Sequence, residues 1–128
     1  MRHALAVAVG GALGSLLRWL VAQALAGASS TLPWGTLAVN LTGSLVLGVL
    51  LGSASATADV PPSALRVGLA VGVCGGFTTF STFGAETLAL LEQGAVGRGV
   101  GYAALSVALG TAAVAAGAWL GRALLAGR

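Results

Sequence analysis

Apolar residues run along this chain in long blocks, and its polar residues gather mostly where the blocks end. From Trp19 to Ala58 no position is ionisable. A membrane-crossing helix needs about 20 predominantly apolar residues to span ~30 Å of hydrocarbon, so blocks of this length read as transmembrane helices. Turn signals divide the pattern at Gly27-Ala28-Ser29-Ser30-Thr31-Leu32-Pro33, from Ser53 to Pro62 with Asp59 and Pro61-Pro62, and from Glu92-Gln93-Gly94 to Arg98. The pattern predicts helices at about 4–26, 34–53, 63–91 and 97–123, with both termini on one side. The connections are too short for an extramembrane domain, so residues 1–128 read as a single all-α membrane domain of four transmembrane helices.

Composition supports this. Of 128 residues, 57% are hydrophobic and 7% charged, where a soluble domain carries about 25% charged residues. Mean hydropathy is +0.98. The net charge of +3 comes from six arginines against three acids, too few and too scattered to track nucleic-acid phosphates. With no lysine there is no Walker A lysine, and the lone His3 leaves no histidine for a buried Ser-His-Asp set or metal site. Cys74, the only cysteine, forms no disulfide within the chain and reads as a small buried hydrophobe. An enzyme is not expected. Met1-Arg2-His3 before an apolar run and Ala24-Leu25-Ala26 have the outline of a cleavable signal, but Arg18 interrupts the run. Arg2, Arg66, Arg122 and Arg128 fall on the side of the termini, with Arg98 opposite and Arg18 leaning that way. The positive-inside rule therefore favours cytoplasmic termini in a multi-pass protein of the inner (plasma) membrane.

Small residues recur four apart at Gly10/Gly14, Gly48/Gly52, Gly68/Gly72, Gly72/Gly76, Gly97/Gly101 and Gly117/Gly121. Such pairs let helix backbones approach closely in lipid. Four tightly packed helices enclose little space, so a path for a substrate is expected between copies of the chain.

The third helix carries the strongest anomaly, Gly75-Gly76-Phe77-Thr78-Thr79-Phe80-Ser81-Thr82-Phe83-Gly84 near its midpoint. Adjacent glycines and β-branched threonines weaken a helix. Irregular backbone at membrane depth is tolerated only where it is buried in protein or lines a cavity, and the ends of half-helices there present free N–H groups to anions and free carbonyls to cations. A break is therefore predicted within residues 74–80, where Gly75 and Gly76 can free carbonyls, and an ion site with it. Phe77, Phe80 and Phe83 fall on one predicted helical stripe, either core or a set of positive ring edges facing an anion. In helix two, Thr36 and Asn40 share a face; Asn40 is either an interhelical hydrogen bond or an uncharged donor to an anion. Arg18 either draws anions into a vestibule or snorkels to the headgroups, and Glu86 is an intramembrane acid without an evident role. Tyr102 and Ser106 share a face of helix four.

With those residues in view, the chain resembles the Fluc (CrcB-like) family of fluoride ion channels over nearly its whole length. The resemblance rests on Gly10-Gly11-Ala12-Leu13-Gly14-Ser15-Leu16-Leu17-Arg18, on Gly35-Thr36-Leu37-Ala38-Val39-Asn40-Leu41-Thr42-Gly43, and above all on Gly72-Val73-Cys74-Gly75-Gly76-Phe77-Thr78-Thr79-Phe80-Ser81-Thr82-Phe83. It implies passive export of cytoplasmic fluoride by an antiparallel, dual-topology homodimer with two pathways along the subunit interface. Phe80 and Phe83 match the phenylalanines lining those pathways, Asn40 the pore asparagine and Arg18 the vestibule arginine. Tyr102 and Ser106 match a polar track on helix four, to which Ser81 and Thr82 add hydroxyls. Gly75 and Thr78 match the positions whose backbone carbonyls hold a structural Na+ on the dimer axis. Two departures stand out: the arginine count favours one orientation where dual insertion wants near balance, and the track's third hydroxyl would fall at residue 110, which is Gly110, while Thr111 lies about 100° around the helix. Some members pair two homologues, so a heterodimer is the other expected assembly.

Two other readings compete. A small multidrug-type exporter needs a membrane-embedded acid in helix one, where this chain has Arg18. A non-transporting assembly subunit would account for the glycine pairs but not for the midspan polar cluster.

Overall fold

The computed structural model describes residues 1–25, 31–55 and 61–126. The expected turn residues Gly27 to Ser30, the predicted helix end at residue 26, Asp59 and Arg128 lie outside them. All described elements are helical: α1 (Arg2–Leu25), α2 (Trp34–Ser55), α3 (Ala64–Val67), a π-helical stretch (Gly68–Cys74), α4 (Gly75–Phe77), α5 (Phe80–Glu92) and α6 (Val96–Ala126). The stretch from Ala64 to Glu92 forms one broken span, so the described residues hold four helices long and apolar enough to cross a membrane. Large apolar side chains cover the outside, including Trp19, Trp34 and Trp119. That is the surface a lipid environment favours, with tryptophans suited to its interfaces.

Helix ends follow local chemistry. Ser63 caps α3 by accepting the Arg66 N–H at 3.2 Å. At the other end of the broken span, Gly94 takes φ +73°, a left-handed conformation that glycine adopts without penalty. The Gly94 N–H donates to Leu91 and the Ala95 N–H to Leu90, at 3.0 and 2.9 Å. This is a Schellman closure, and it falls where Glu92-Gln93-Gly94 predicted a turn.

Glycine holds the bundle together in two pairs of helices. A Cβ on Gly76 would stand 2.6 Å from the Gly11 carbonyl, and one on Gly72 would stand 2.9 Å from that of Val7. Gly10 and Gly14 likewise press on the backbone of Gly68 and Val73, which joins α1 to the first half of the broken span. In the second pair, Gly48 and Gly52 of α2 meet Val114 and Ala118 of α6, while Gly117 and Gly121 meet Leu45 and Val49. No side chain fits between these backbones. Gly97 and Gly101 differ from expectation: nothing lies within 4 Å of a Cβ at either. The start of α6 runs beside α5 there and does not reach another backbone closely.

The break falls within the predicted stretch, at its threonines and not at its glycines. Gly75 and Gly76 are helical, with Gly75 at φ −65° and ψ −38°. Thr78 and Thr79 are the extended residues, at φ −76°, ψ 159° and φ −150°, ψ 120°. Glycine permits a break without requiring one. Here Gly76 is spent on close approach to α1, and the chain turns where threonine side chains can satisfy the freed backbone. The break also separates the phenylalanines: Phe77 ends α4 and approaches Gly43, whereas Phe80 and Phe83 belong to α5. The single stripe predicted for all three does not exist.

Candidate ion pathway at the helix break

Thr79 is the centre of the broken region. Its side chain caps α5, accepting the Thr82 N–H at 3.2 Å and lying 3.0 Å from Thr82 Oγ1 and 3.3 Å from Ser81 Oγ. Its backbone is held from α2. Asn40 Oδ1 accepts the Thr79 N–H at 2.8 Å, and Asn40 Nδ2 donates to the Thr79 carbonyl at 3.0 Å. One uncharged side chain thus satisfies both backbone groups of the residue at the break, which an apolar environment would otherwise penalise. An amide has two N–H donors, so one remains after this pairing. Thr78 turns back the other way, with its N–H and its hydroxyl both donated to the Cys74 carbonyl at 2.9 Å. The Thr79 N–H that would close the next α-turn on the Gly75 carbonyl is taken by Asn40.

A cavity of about 320 Å³ opens beside the break, lined by Asn40, Thr78, Thr79, Phe80, Phe83 and Ser106 among others. The rings of Phe80 and Phe83 lie 5.6 Å apart at 50°, and Phe83 and Tyr102 lie 5.4 Å apart at the same angle. Phe80 is 83% exposed, an unusual fraction for an aromatic at midspan, and Ser81 and Thr82 are exposed beside it. Ser106 Oγ is buried and makes no hydrogen bond of good geometry among the described residues. Gly110 lines the same cavity, while Thr111 is exposed outside it.

Arg18 is half-buried and lines a second cavity, of about 310 Å³, with Thr36, Thr79 and Thr82. This cavity reaches the break from the α1 side. A third, of about 420 Å³, lies at the end away from the termini and is lined by Thr36, Glu86, Gln93 and Arg98.

Glu86 acquires a setting that no local pattern revealed. Its Oε1 accepts the Thr36 hydroxyl at 2.7 Å and its Oε2 the Tyr102 hydroxyl at 2.8 Å. Thr36 and Tyr102 are both buried. Three elements, α2, α5 and α6, meet on one carboxylate. The face shared by Thr36 and Asn40 was the available signal, since both reach across to α5 and to the break. Tyr102 therefore joins the aromatic row through its ring and the acid through its hydroxyl. Thr79 was also missed as a keystone, although threonine is a favoured N-cap residue.

These geometries can be set beside known proteins. A family model described as CrcB-like protein, Camphor Resistance (CrcB), matches residues 5–118. The fluoride-specific ion channel FluC of Rhizobium meliloti is 46% identical over 126 residues, covering 98% of this chain and 100% of its own length. Its counterpart in Rhizobium etli is 48% identical over 128 residues, with 98% and 100% covered. That of Nitrobacter winogradskyi is 45% identical over 114 residues, with 88% and 90% covered.

Proposed function

The chain belongs to the CrcB-like family, and from that premise we propose that it conducts fluoride selectively and passively out of the cytoplasm across the inner membrane. The family is one of ion channels, not enzymes. The observation that carries the reading is the uncharged polar wall at a midspan break, beside Phe80 and Phe83. Fluoride is small and holds its water tightly, so a path for it must replace hydration with other donors. Hydroxyls, the spare Asn40 N–H and the positive ring edges do this without a fixed charge at membrane depth. Arg18 raises anion concentration at the approach, and Phe80, Phe83, Ser81, Thr82, Tyr102 and Ser106 carry the ion past the break.

The exposed wall at Phe80, Ser81 and Thr82 supports a second copy of the chain as its cover. The expected partner is inverted, giving an antiparallel, dual-topology homodimer with pathways along the interface; a homologue in the opposite orientation would serve the same purpose. Gly75 and Thr78 suit a structural Na+ between the copies. The Gly75 carbonyl has lost its α-helical donor, and the exposed Gly75 carries no side chain to screen it. Hard cations favour oxygen ligands, and two copies offer two such carbonyls each. The ion would add positive charge near both anion paths.

Purified protein in liposomes is expected to release fluoride, read with a fluoride electrode, and to retain chloride. Equal chloride release, or none of either ion, would overturn this reading and favour the exporter or assembly alternatives. A separate measurement addresses sodium. Flux should fall when the protein is assembled without sodium, and an imposed sodium gradient should not drive fluoride uphill. Sodium-driven accumulation would make the cation a coupling ion and not a structural one.

A further inference from the structure

The cavity beside the break offers five polar side chains, and most are already committed. Asn40 and Thr79 hold each other, and the Thr78 hydroxyl donates to Cys74. Ser106 Oγ is buried and makes no hydrogen bond of good geometry among the described residues. The remaining one is Ser44, half-buried on α2 one turn beyond Asn40, for which no hydrogen bond is found among the described residues.

Ser44 faces the place where α6 lacks a side chain. A Cβ built on Gly110 would meet nothing closer than Ser44 Oγ, at 3.9 Å. The cavity wall on α6 thus passes from Ser106 to a bare backbone one turn on, and the hydroxyl beside that gap comes from α2. A serine hydroxyl in the middle of a helix usually bonds back to the carbonyl of the preceding turn; this one is left free to act as a donor.

We infer that Ser44 supplies the polar contact beyond Ser106 in the fluoride path, a hydroxyl from α2 at the point where α6 offers only the bare backbone of Gly110. The inference rests on the channel reading above and adds a residue to its pathway. It makes the ion pass from a donor on α6 to a donor on α2, with Phe80 and Phe83 alongside.

The test moves the hydroxyl between helices. In proteoliposomes, Ser44→Ala should slow fluoride release about tenfold, the effect of one lost hydrogen bond to an anion. The double variant Ser44→Ala/Gly110→Ser should recover most of the rate, because the space at Gly110 accepts a Cβ in ordinary contact. Ser44→Cys, close in size but a weak donor, should be slowed in the same way and serves if the alanine variant does not fold. Wild-type flux in Ser44→Ala, or a double variant as slow as the single one, overturns the inference while leaving the channel intact. A wild-type chain that carries no fluoride overturns the channel reading and this inference with it.

Discussion

Replacing Phe80 or Phe83 by isoleucine is expected to slow fluoride flux at least about a hundredfold, a barrier increase of roughly 3 kcal/mol. The two rings flank the cavity 5.6 Å apart and tilted by 50°. A tilted pair presents edges, where the aromatic quadrupole is positive, to anything lying between them and the hydroxyls. Isoleucine fills a similar space but offers no such edge, so a partly dehydrated anion would face hydrocarbon at the costliest depth. Phe80 bears little of the fold, and isoleucine at 83 keeps an apolar side chain against the core. Phe80 is 83% exposed, and Phe83 packs on Tyr102 from a half-buried position. Both variants should therefore elute from a sizing column as the wild type does. Unchanged fluoride-electrode traces for both would remove the rings from the pathway.

Asn40→Asp should abolish flux nearly completely, for two reasons acting together. The amide donates to the Thr79 carbonyl at 3.0 Å and accepts the Thr79 N–H at 2.8 Å. A carboxylate keeps the second contact and turns the first into a repulsion between two oxygens. It also sets a negative charge beside an anion path, where screening by water and salt is weak. A charge at midspan adds about 3 kcal/mol even before any anion arrives. Asn40→Ser is expected to retain part of the flux, since a hydroxyl remains uncharged and can serve one of the two Thr79 groups. The comparison is made by electrode in matched liposomes. Normal conduction by the aspartate variant would reduce Asn40 to a packing contact.

The parts of this molecule that depend on local chemistry were legible in its sequence. Long apolar blocks predicted the four spans, and Gly94 marked the turn that its positive φ closes. Five of the six glycine pairs lie at close backbone contacts, because a missing side chain in lipid has few other uses. The break was legible too, but which of its residues leave the helix is a tertiary matter. Gly75 and Gly76 weaken a helix, yet Gly76 is pressed against α1 and stays helical, while Asn40, 39 residues earlier, captures the Thr79 backbone. The phenylalanine stripe failed, since helical periodicity does not carry across extended residues. Glu86 was visible only as an anomaly: its two donors come 50 residues before it and 16 after. Ser44 went unnoticed because a lone serine in an apolar helix gives no signal until the glycine opposite it is seen.

The pattern of close contacts has a mechanical consequence. The first half of the broken span is sewn to α1 through Gly10, Gly14, Gly72 and Gly76. The second half is tied to the α2–α6 pair, at its start by Asn40 and further along by the Glu86 carboxylate. One stretch of chain thus serves two bodies that also touch along α2, and Thr78-Thr79 is the seam between them. Any shift of one body against the other must be taken up by the backbone angles of those two residues. The Asn40 amide grips one side of that seam, while the Thr78 hydroxyl anchors the other to Cys74. The cavity wall beside the break is therefore clamped from both sides of the seam at once, which on the channel reading would suit a passage of constant spacing.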